Sequence, residues 1–498
     1  MRNLSVTLNN RISIGVMLSN AGYQTLLNLF RSTGGQVGVG RVGTDYYLYT
    51  PANTGMVFST YLKSVTTLGK TCHQIQGMTL RIAAVSVAHT DGSVVKGGAG
   101  TWTGGTNAGA YTGTYALNAT EGATLTITTP DGTTKFGLRM VKSGNAGLST
   151  VSIDSDLTRA SVLPTAQDVV DAGYYPATIL TTGGGTLDPT TRVLDQYDAA
   201  TLYDEHLVFA TDLTGGIHTV VITSTVYKRD AATDNRLYIS GYAYATASTA
   251  MTDAGVTMLI AKKLGRSGSV YEYAMTVNPT GGSGAATIGN GHGYDNQTDI
   301  TITLDGSTVT PADGETLAGS TLIITRTSVL NHPNLNAGAT QVGHVTQTYT
   351  ADPYYGLQIA WSITWDVGGT NSTAYVSMLP LDTTTMLWAS NFAQHTAVTL
   401  TANDNSFVAN ARSKAVTAWE LTQHFSILDY TPDLTKNVNN WASNSPRAFG
   451  VEDAVGGTNK IYQYRVYPPA TETYQVNDIW QGETWYMAKF SPTVLTVP

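Results

Sequence analysis

The sequence predicts an all-β protein of tandem antiparallel β-sandwiches of the jelly-roll type, preceded by a small N-terminal module. Only 12% of the 498 residues are charged, against roughly a quarter in an average soluble protein, and glycine (51) and tyrosine (28) are frequent instead. Apolar residues recur with period two, for example in residues 78–86, 125–127 and 300–304. Turn-forming residues separate these runs, as at 129–132 and 305–306.

Helical periodicity is confined to two short segments. Residues 22–31 provide an apolar face with Leu26, Leu27, Leu29 and Phe30, and residues 165–171 follow Pro164 in a pattern that can start a helical turn. Both segments are too short to form the core of a helical protein. We therefore expect them to be minor additions to a β-sheet fold.

Three segments follow from the distribution of these patterns. We predict an N-terminal module over residues 1–96, a middle β-sandwich over 97–246 and a C-terminal β-sandwich over 247–498. The glycine-rich stretch at 94–110 is interpreted as a loop or linker between the first two segments.

Composition excludes several classes of protein. A single cysteine, Cys72, excludes an internal disulfide framework and a multi-cysteine zinc site, and we expect no metal and no cofactor. The formal charge of −8, without a basic block, argues against nucleic acid as a partner. No apolar run approaches the roughly 20 residues that span a bilayer, and no export signal is visible, so membrane insertion is not expected. The composition is typical of a protein on an extracellular surface, although no export signal is visible. This combination favours a virion component, which is made in the host cytoplasm and exposed on the particle.

Two sets of motifs carry a family resemblance. Residues 111–127, 136–140, 151–154 and 215–242 resemble the carbohydrate-binding-module-like jelly rolls of secreted glycoside-acting proteins and phage tail fibres. The turn at residues 289–295, with the strands that follow it at 300–306 and 374–381, is similar to the distal domains of tailed-bacteriophage fibre and minor tail proteins. The resemblance implies a receptor-binding protein with a virion-attachment module at residues 1–96 and a receptor-facing segment at 247–498. It also implies that the protein attaches to other virion proteins through the N-terminal module, binds a host surface glycan and forms a homotrimer.

Aromatic residues are the candidates for glycan contact. Tyrosine outnumbers phenylalanine 28 to 9, and seven of the eight tryptophans lie beyond residue 360. Aromatic rings stack on sugar faces while their polar edges stay hydrated. Trp361 and Trp365 share one face of an alternating strand, and the pattern leaves a core position and a surface position open, whereas the segment with Trp480 and Trp485 is interpreted as packing onto a neighbour. The predicted glycan-binding residues are His292, Tyr294, Asp295, Tyr354, Tyr355, Trp361 and Trp365.

Two other functions stay open at this point. A phage polysaccharide depolymerase would use a histidine or tyrosine as base, or a pair of carboxylates. The histidines of the C-terminal half are His292, His332, His344, His395 and His424, and an acidic pair, Asp204 and Glu205, precedes His206. No spacing among these residues is diagnostic, so no catalytic residue is assigned. A capsid decoration or head-fibre protein without sugar specificity is the second alternative.

Overall fold

The computed structural model describes residues 27–32, 34–265, 273–381, 387–390, 393–394, 415–420, 425–430, 449–454, 458–466 and 471–490. Regular structure in these residues is nearly all strand, in several antiparallel sheets, so the predicted all-β sandwich class is confirmed. None of the helices in these ranges is long and apolar enough to cross a bilayer.

The two predicted helical segments are helical where the structure describes them, and residues 22–26 of the first lie outside the described residues. Residues 27–30 are helical, and helix α1 spans Ala166–Asp171. The Thr165 hydroxyl accepts the backbone N–H of Asp168, and the Asp168 carboxylate accepts the backbone N–H of Thr165, which is a capping box. Single 3₁₀ turns lie at Asn53–Gly55, Tyr111–Gly113, Ala177–Ile179, Thr181–Gly183, Asn290–His292 and Asn336–Gly338.

The strands follow one another closely along the chain. Those before residue 130 are β1 (Val37–Val42), β2 (Asp45–Pro51), β3 (Val57–Thr67), β4 (Lys70–Ala88), β5 (Val94–Gly98), β6 (Thr103–Thr106), β7 (Thr114–Asn118) and β8 (Ala123–Thr128). Those up to residue 265 are β9 (Thr133–Lys142), β10 (Leu148–Ile153), β11 (Val193–Asp195), β12 (Leu202–Ala210), β13 (Thr219–Ser224), β14 (Leu237–Ile239), β15 (Gly241–Thr246) and β16 (Val256–Gly265).

The remaining strands belong to the C-terminal half. Up to residue 380 they are β17 (Ala274–Pro279), β18 (Ala286–Ile288), β19 (Asp295–Leu304), β20 (Ser307–Val309), β21 (Thr316–Gly319), β22 (Leu322–Asn331), β23 (Gln341–Asp352), β24 (Gly356–Trp365) and β25 (Gly369–Pro380). Beyond it they are β26 (Leu387–Ser390), β27 (Ala393–Gln394), β28 (Ala415–Glu420), β29 (Phe425–Tyr430), β30 (Phe449–Ala454), β31 (Thr458–Val466), β32 (Glu472–Tyr474) and β33 (Ile479–Phe490).

Local sequence signals explain the hairpins. Asp305 and Gly306 join β19 to β20 with φ angles of +49° and +78°, the positive values that a tight primed turn requires. The glycine-rich stretch at 94–110 forms β5 and β6 instead of the expected linker. Its glycines permit close strand approach, since a Cβ at Gly98 would collide with the carbonyl oxygen of Gly122.

Two large sheets organise the described residues. The nine-stranded sheet has the order β12-β9-β15-β4-β3-β2-β1-β21, with β16 also paired to β4. The ten-stranded sheet has the order β20-β19-β22-β23-β24-β33-β29-β28-β26-β27. Smaller sheets are β11-β10-β13-β8-β5, β14-β7-β6 and the six-stranded β18-β17-β25-β31-β30 with β32. The nine-stranded sheet contains strands from all three predicted segments, and the division at residues 96 and 246 stays a prediction.

The nine-stranded sheet is buried on both faces around β9 and β15. On β9, Phe136, Leu138 and Met140 pack in a core with strands of the five-stranded sheet. On β15, Tyr242 joins the same core, whereas Ala243 points to the opposite face and the central core. Successive side chains of a strand point to opposite faces, so this sheet separates two cores.

The ten-stranded sheet packs against two other sheets through the same face. One end of that face contacts the nine-stranded sheet, and the other end contacts the six-stranded sheet. Leu357 and Ile359 of β24 contribute to the central core shared with the nine-stranded sheet. Trp361, Ile363 and Trp365, on the same face, pack in the core shared with the six-stranded sheet. The opposite face of β22, β23, β24 and β33 is open, and we call it the open face.

A buried ion pair lies between these two cores. Arg326 on β22 donates from Nη1 to Asp295 Oδ2 on β19 at 3.0 Å, and both side chains are fully buried. The Tyr273 hydroxyl donates to the same Asp295 oxygen at 2.7 Å, and Arg326 also donates to the Gln347 side-chain oxygen. Burial alone would lower the pKa of Arg326, but the Asp295 carboxylate outweighs it and raises that pKa further above its ordinary value.

Replacing Asp295→Asn leaves the Arg326 charge buried without its counter-ion. We expect the free energy of unfolding to fall by about 3–5 kcal/mol, measured by urea denaturation. The matched control is Asp366→Asn, whose carboxylate lies 3.2 Å from the exposed His344, with an expected loss below about 1 kcal/mol. Equal losses in the two variants would contradict the structural role of the buried pair.

A second buried carboxyl has no cation among its hydrogen-bond partners in the described part of the chain. Asp429 on β29 is fully buried and accepts hydrogen bonds from the hydroxyls of Thr484 and, at 3.4 Å, Ser377. Burial raises its pKa to about 7, although the two hydroxyls oppose the shift. A carboxyl with a raised pKa stabilises the fold when it is protonated, so this stabilisation is lost as the pH rises from the unfolded value through 7.

We therefore expect Asp429→Asn to change the pH dependence of stability. With an unfolded pKa of about 3.9, the variant should exceed the wild type by up to about 4 kcal/mol at pH 8 and match it near pH 4. Urea denaturation of both proteins at several pH values measures the difference. Parallel stability curves between pH 4 and 8 would contradict the raised pKa.

Candidate functional site

The structure places the two predicted tryptophans in the core. Trp361 and Trp365 are 3% and 0% exposed, and the Trp365 ring packs against Tyr474 and Trp480 with centroids 4.3 and 5.2 Å apart. The parity of β24 directs both indoles toward the six-stranded sheet. The sequence pattern left a core position and a surface position open, and the structure places both rings in the core. Neither ring is therefore available to stack on a ligand.

The other predicted residues near the turn at 289–295 are divided between core and surface. Asp295 is committed to the buried pair with Arg326 and does not reach solvent. His292 lies in the turn Asn290–His292. Tyr294 is half-buried, has a φ of +63° and packs against the core that contains Trp365. Of these residues, Asp295 is therefore unavailable to a ligand, and Tyr294 offers only a partly covered ring.

Tyr354 and Tyr355 lie together on the surface, in the turn between β23 and β24. Asp352 Oδ1 accepts the backbone N–H groups of both tyrosines, at 2.7 and 2.8 Å. Gly356 completes the turn with a φ of +83°, and its Cα approaches the carbonyl oxygen of Tyr486 so closely that a Cβ would collide with it. The two rings are consequently presented by a turn with few alternative conformations.

An arginine from the start of the described chain completes this surface. The Arg31 guanidinium carbon lies 4.8 Å from the centroid of the Tyr354 ring and 5.7 Å from that of Tyr355. The backbone N–H of Ser32 donates to the Tyr354 carbonyl oxygen at 3.0 Å, and Lys489 Nζ donates to the Leu29 carbonyl oxygen at 2.8 Å. Both hydrogen bonds fix the segment that carries Arg31.

Trp485 extends the ring surface onto β33. Its indole meets the Tyr355 ring edge-on, with centroids 6.4 Å apart. Its Nε1–H donates to Glu483 Oε1 at 3.3 Å, and Gln358 Nε2 donates to the same oxygen at 2.6 Å. Tyr354 is 41% exposed, and Tyr355 and Trp485 are partly exposed. We call Arg31, Tyr354, Tyr355 and Trp485 the aromatic cluster.

A shallow groove of about 180 Å³ continues from the cluster across the open face. It is lined by Thr346, Thr348, Ala360, Trp361, Ser362, Gln481, Gly482 and Glu483. Cross-strand register explains the continuity, because Trp485 lies opposite Gln358 and Glu483 lies opposite Ala360. The small side chain of Ala360 leaves the depression between taller neighbours, and Glu483 belongs to both the groove and the surroundings of the cluster.

The groove presents hydroxyl and amide groups with little charge. Thr346 lies opposite Ser362, and Ser362 lies opposite Gln481, so one cross-strand row carries two hydroxyls and an amide. The next row runs from Thr348 through Ala360 to Glu483, the one charged residue in the groove lining. These side chains can donate hydrogen bonds to a polar, uncharged ligand and accept hydrogen bonds from it.

The structure also places the histidines that the depolymerase alternative would use. His332 is fully buried, with Nε2 at 3.0 Å from the Val277 carbonyl oxygen, and the exposed His344 lies beside Asp366. His395 and His424 lie outside the described residues. Among the described residues, no group of three or more His, Cys, Asp or Glu side chains is placed to hold a metal ion.

Sequence reasoning missed Trp485, Glu483, Gln358 and Arg31. For Trp485 a signal was present, because its odd position in β33 differs in parity from the buried Trp480, and the two rings must point to opposite faces. For Arg31 there was none, since its contact with Tyr354 joins residues more than 300 positions apart.

Gly356→Ala tests whether the turn that carries the tyrosines is constrained. Gly306→Ala is its matched control, because Gly306 has a φ of +78° in another turn of the same sheet and no heavy atom lies within 4 Å of the position that a Cβ would take there. We expect Gly306→Ala to cost about 1 kcal/mol for the backbone alone, and Gly356→Ala to cost about 1–3 kcal/mol more through the collision with Tyr486. Thermal unfolding measures both, and equal losses would contradict the close approach.

Comparison with known proteins identifies no family. No family model matches the sequence, and no curated protein matches it. Among solved structures, a variant of the GH36 alpha-galactosidase AgaA from Geobacillus stearothermophilus, in complex with stachyose, matches 44% of this chain and 30% of its own at 9% identity and a TM-score of 0.28. The GH36 alpha-galactosidase AgaB from the same organism matches 45% of this chain and 30% of its own at 12% identity and a TM-score of 0.26. At such TM-scores the likeness carries no argument about this chain.

Proposed function

We propose that this chain is an adhesive structural protein of a virion, of the tail-fibre or receptor-binding class, and that the open face binds uncharged parts of a host surface glycan. The observation that carries the glycan part is the continuity of the aromatic cluster with the hydroxyl-lined groove. The virion location, the attachment through residues 1–96 and the homotrimer follow from the sequence resemblance and belong to the same proposal.

The chemistry of the cluster suits a sugar ring. Tyrosine and tryptophan rings offer an apolar face to sugar C–H groups, and their hydroxyl and N–H edges remain able to hydrogen-bond. Tyr354 is the most exposed ring of the cluster, and Arg31 beside it adds donors for hydroxyl oxygens. Stacking therefore supplies contact area, and the neighbouring polar groups supply orientation.

The groove suits the next sugars of the same chain. Its threonine, serine and glutamine side chains can exchange hydrogen bonds with hydroxyl groups, and few ions have to be desolvated when a neutral ligand covers it. The side chains stand on paired strands instead of loops, so little conformational entropy is lost when they are covered. A pre-ordered, weakly charged surface is what adhesion to neutral glycans requires.

We expect Trp485→Ala and Tyr355→Ala each to weaken binding to neutral host-type oligosaccharides by at least about tenfold, which corresponds to about 1.4 kcal/mol. Immobilised oligosaccharide arrays, followed by titration calorimetry on the best ligand, measure the change. The matched control is Tyr47→Ala on β2, whose half-buried ring also stacks near an arginine, with Arg81 at 4.9 Å from its centroid, but lies outside the open face.

The control should bind within about twofold of the wild type. If Tyr47→Ala loses as much binding as Trp485→Ala, the assignment of the glycan site to the open face is wrong. Failure of the wild type to bind any neutral glycan would overturn the glycan part of the proposal. Melting curves of all variants establish that each remains folded.

A further inference from the structure

A second concavity, separate from the open face, is lined by residues between 142 and 263. This cleft has a volume of about 400 Å³, within the range of small-ligand sites. It is lined by Lys142, Pro164, Val169, Tyr174, Val193, Asp195, Asp204, Glu205, His206, Leu207, Arg229, Ile260, Ala261, Lys262 and Lys263. The lining is unusually rich in charge for a chain with only 12% charged residues.

The curvature of the nine-stranded sheet creates the cleft. Strand pairing runs from β12 through β9, β15 and β4 to β16, yet residues of β12 and β16 line the same cavity. Lys263 Nζ on β16 lies 4.0 Å from Glu205 Oε2 on β12. Val169 of α1 and Val193 of β11 form an apolar wall.

Two of the three carboxylates in the cleft are already neutralised. Asp204, at a bulge of β12 with a φ of +57°, receives two hydrogen bonds from Arg139, one of them at 2.8 Å. Burial would raise the pKa of Asp204, but the neighbouring His206 and the hydrogen-bonded Arg139 outweigh it and hold that pKa below its usual value. A carboxyl held ionised in this way is unsuited to act as a general acid.

The second neutralised carboxylate is Asp195. Arg229 Nη2 lies 2.6 Å from Asp195 Oδ2, and the Tyr175 hydroxyl donates to Oδ1 at 3.1 Å. The Arg229 guanidinium carbon lies 4.0 Å from the Tyr174 ring centroid and 5.2 Å from that of Tyr197. The Asp195–Arg229 pair therefore forms part of the wall of the cleft and holds the Tyr174 ring at its rim.

The charge of the lining differs in sign from that of the whole chain. Four lining side chains are cationic (Lys142, Arg229, Lys262 and Lys263) and three are acidic, in a protein with a net charge of −8. Lys263 is 48% exposed, and Lys142 is partly exposed. A ligand that enters the cleft meets these two ammonium groups, the exposed Tyr174 ring and the Glu205 carboxylate together.

We propose that this cleft binds the carboxylate of an acidic sugar residue. Lys142 and Lys263 would receive the carboxylate, and the apolar lining from Val169, Leu207 and Ile260 would contact the C–H face of the ring. Glu205 accepts hydrogen bonds from the ring hydroxyls of a sugar, and an inorganic anion offers neither those ring hydroxyls nor a C–H face to the apolar lining. The cleft thereby extends the chemistry of this protein from neutral to anionic saccharides, and it does not depend on the function proposed for the open face.

Titration calorimetry with tetragalacturonate tests the proposal, with its methyl ester as the uncharged counterpart and inorganic phosphate as the bare anion. We expect the wild type to bind the acid at least about tenfold more tightly than the ester or phosphate. The variant Lys142→Gln/Lys263→Gln should lose at least about tenfold in affinity for the acid. The matched control, Lys63→Gln/Lys70→Gln on β3 and β4, removes the same charge elsewhere and should stay within about twofold of the wild type.

Trp485→Ala should leave this binding unchanged, so the failure of one site is distinguishable from the failure of the other. Equal binding of the acid and its ester, equal losses in the two lysine double variants, or no binding by the folded wild type would each overturn the proposal. Phosphate binding as tight as that of the acid would also overturn it, because it would assign the cleft to bare anions. Circular dichroism verifies the fold of each variant.

Discussion

The buried pair of Arg326 and Asp295 stands where the packing of the ten-stranded sheet changes partner. On one side of it the sheet covers the nine-stranded sheet, and on the other it covers the six-stranded sheet. The hydroxyl of Tyr273, which precedes β17, connects the six-stranded sheet to the same carboxylate. A buried pair of this kind restricts the register of the strands that contribute to it, because any slip would leave a charge without a partner.

This constraint determines which face of the sheet remains available. With Trp480, Thr484 and Tyr486 of β33 committed to the cores, the alternating side chains of Glu483 and Trp485 lie on the open face. The same strands that seal Trp361, Trp365 and Trp480 inside thus order a groove of hydroxyls and amides outside. A sheet with one covered and one solvated face is the usual outcome for antiparallel strands, and here the solvated face is unusually poor in charge.

Much of the fold could be predicted from the sequence, because the alternation of apolar and polar residues and the choice of turn residues are local patterns. The runs at 78–86 and 300–304 and the turn at 305–306 needed only neighbouring residues, whereas the glycines at 94–110 indicated a linker until their close contacts with another strand were known. The site was less accessible. Tyr354 and Tyr355 were predicted from the sequence and lie in the aromatic cluster. Arg31 contacts Tyr354 from a segment far away in the sequence, which no local pattern indicates. Asp295 forms its ion pair with Arg326, a partner that is known only once the strands are paired.

The central claim is that neutral glycan lies on the open face against the aromatic cluster. Hydroxyl-radical footprinting, read by mass spectrometry with and without a bound host oligosaccharide, measures ring protection directly. The account predicts reduced oxidation of Tyr354, Tyr355 and Trp485, and unchanged oxidation of Tyr174, which is similarly exposed at the cleft. Unchanged oxidation of the three rings while the oligosaccharide is bound would contradict it.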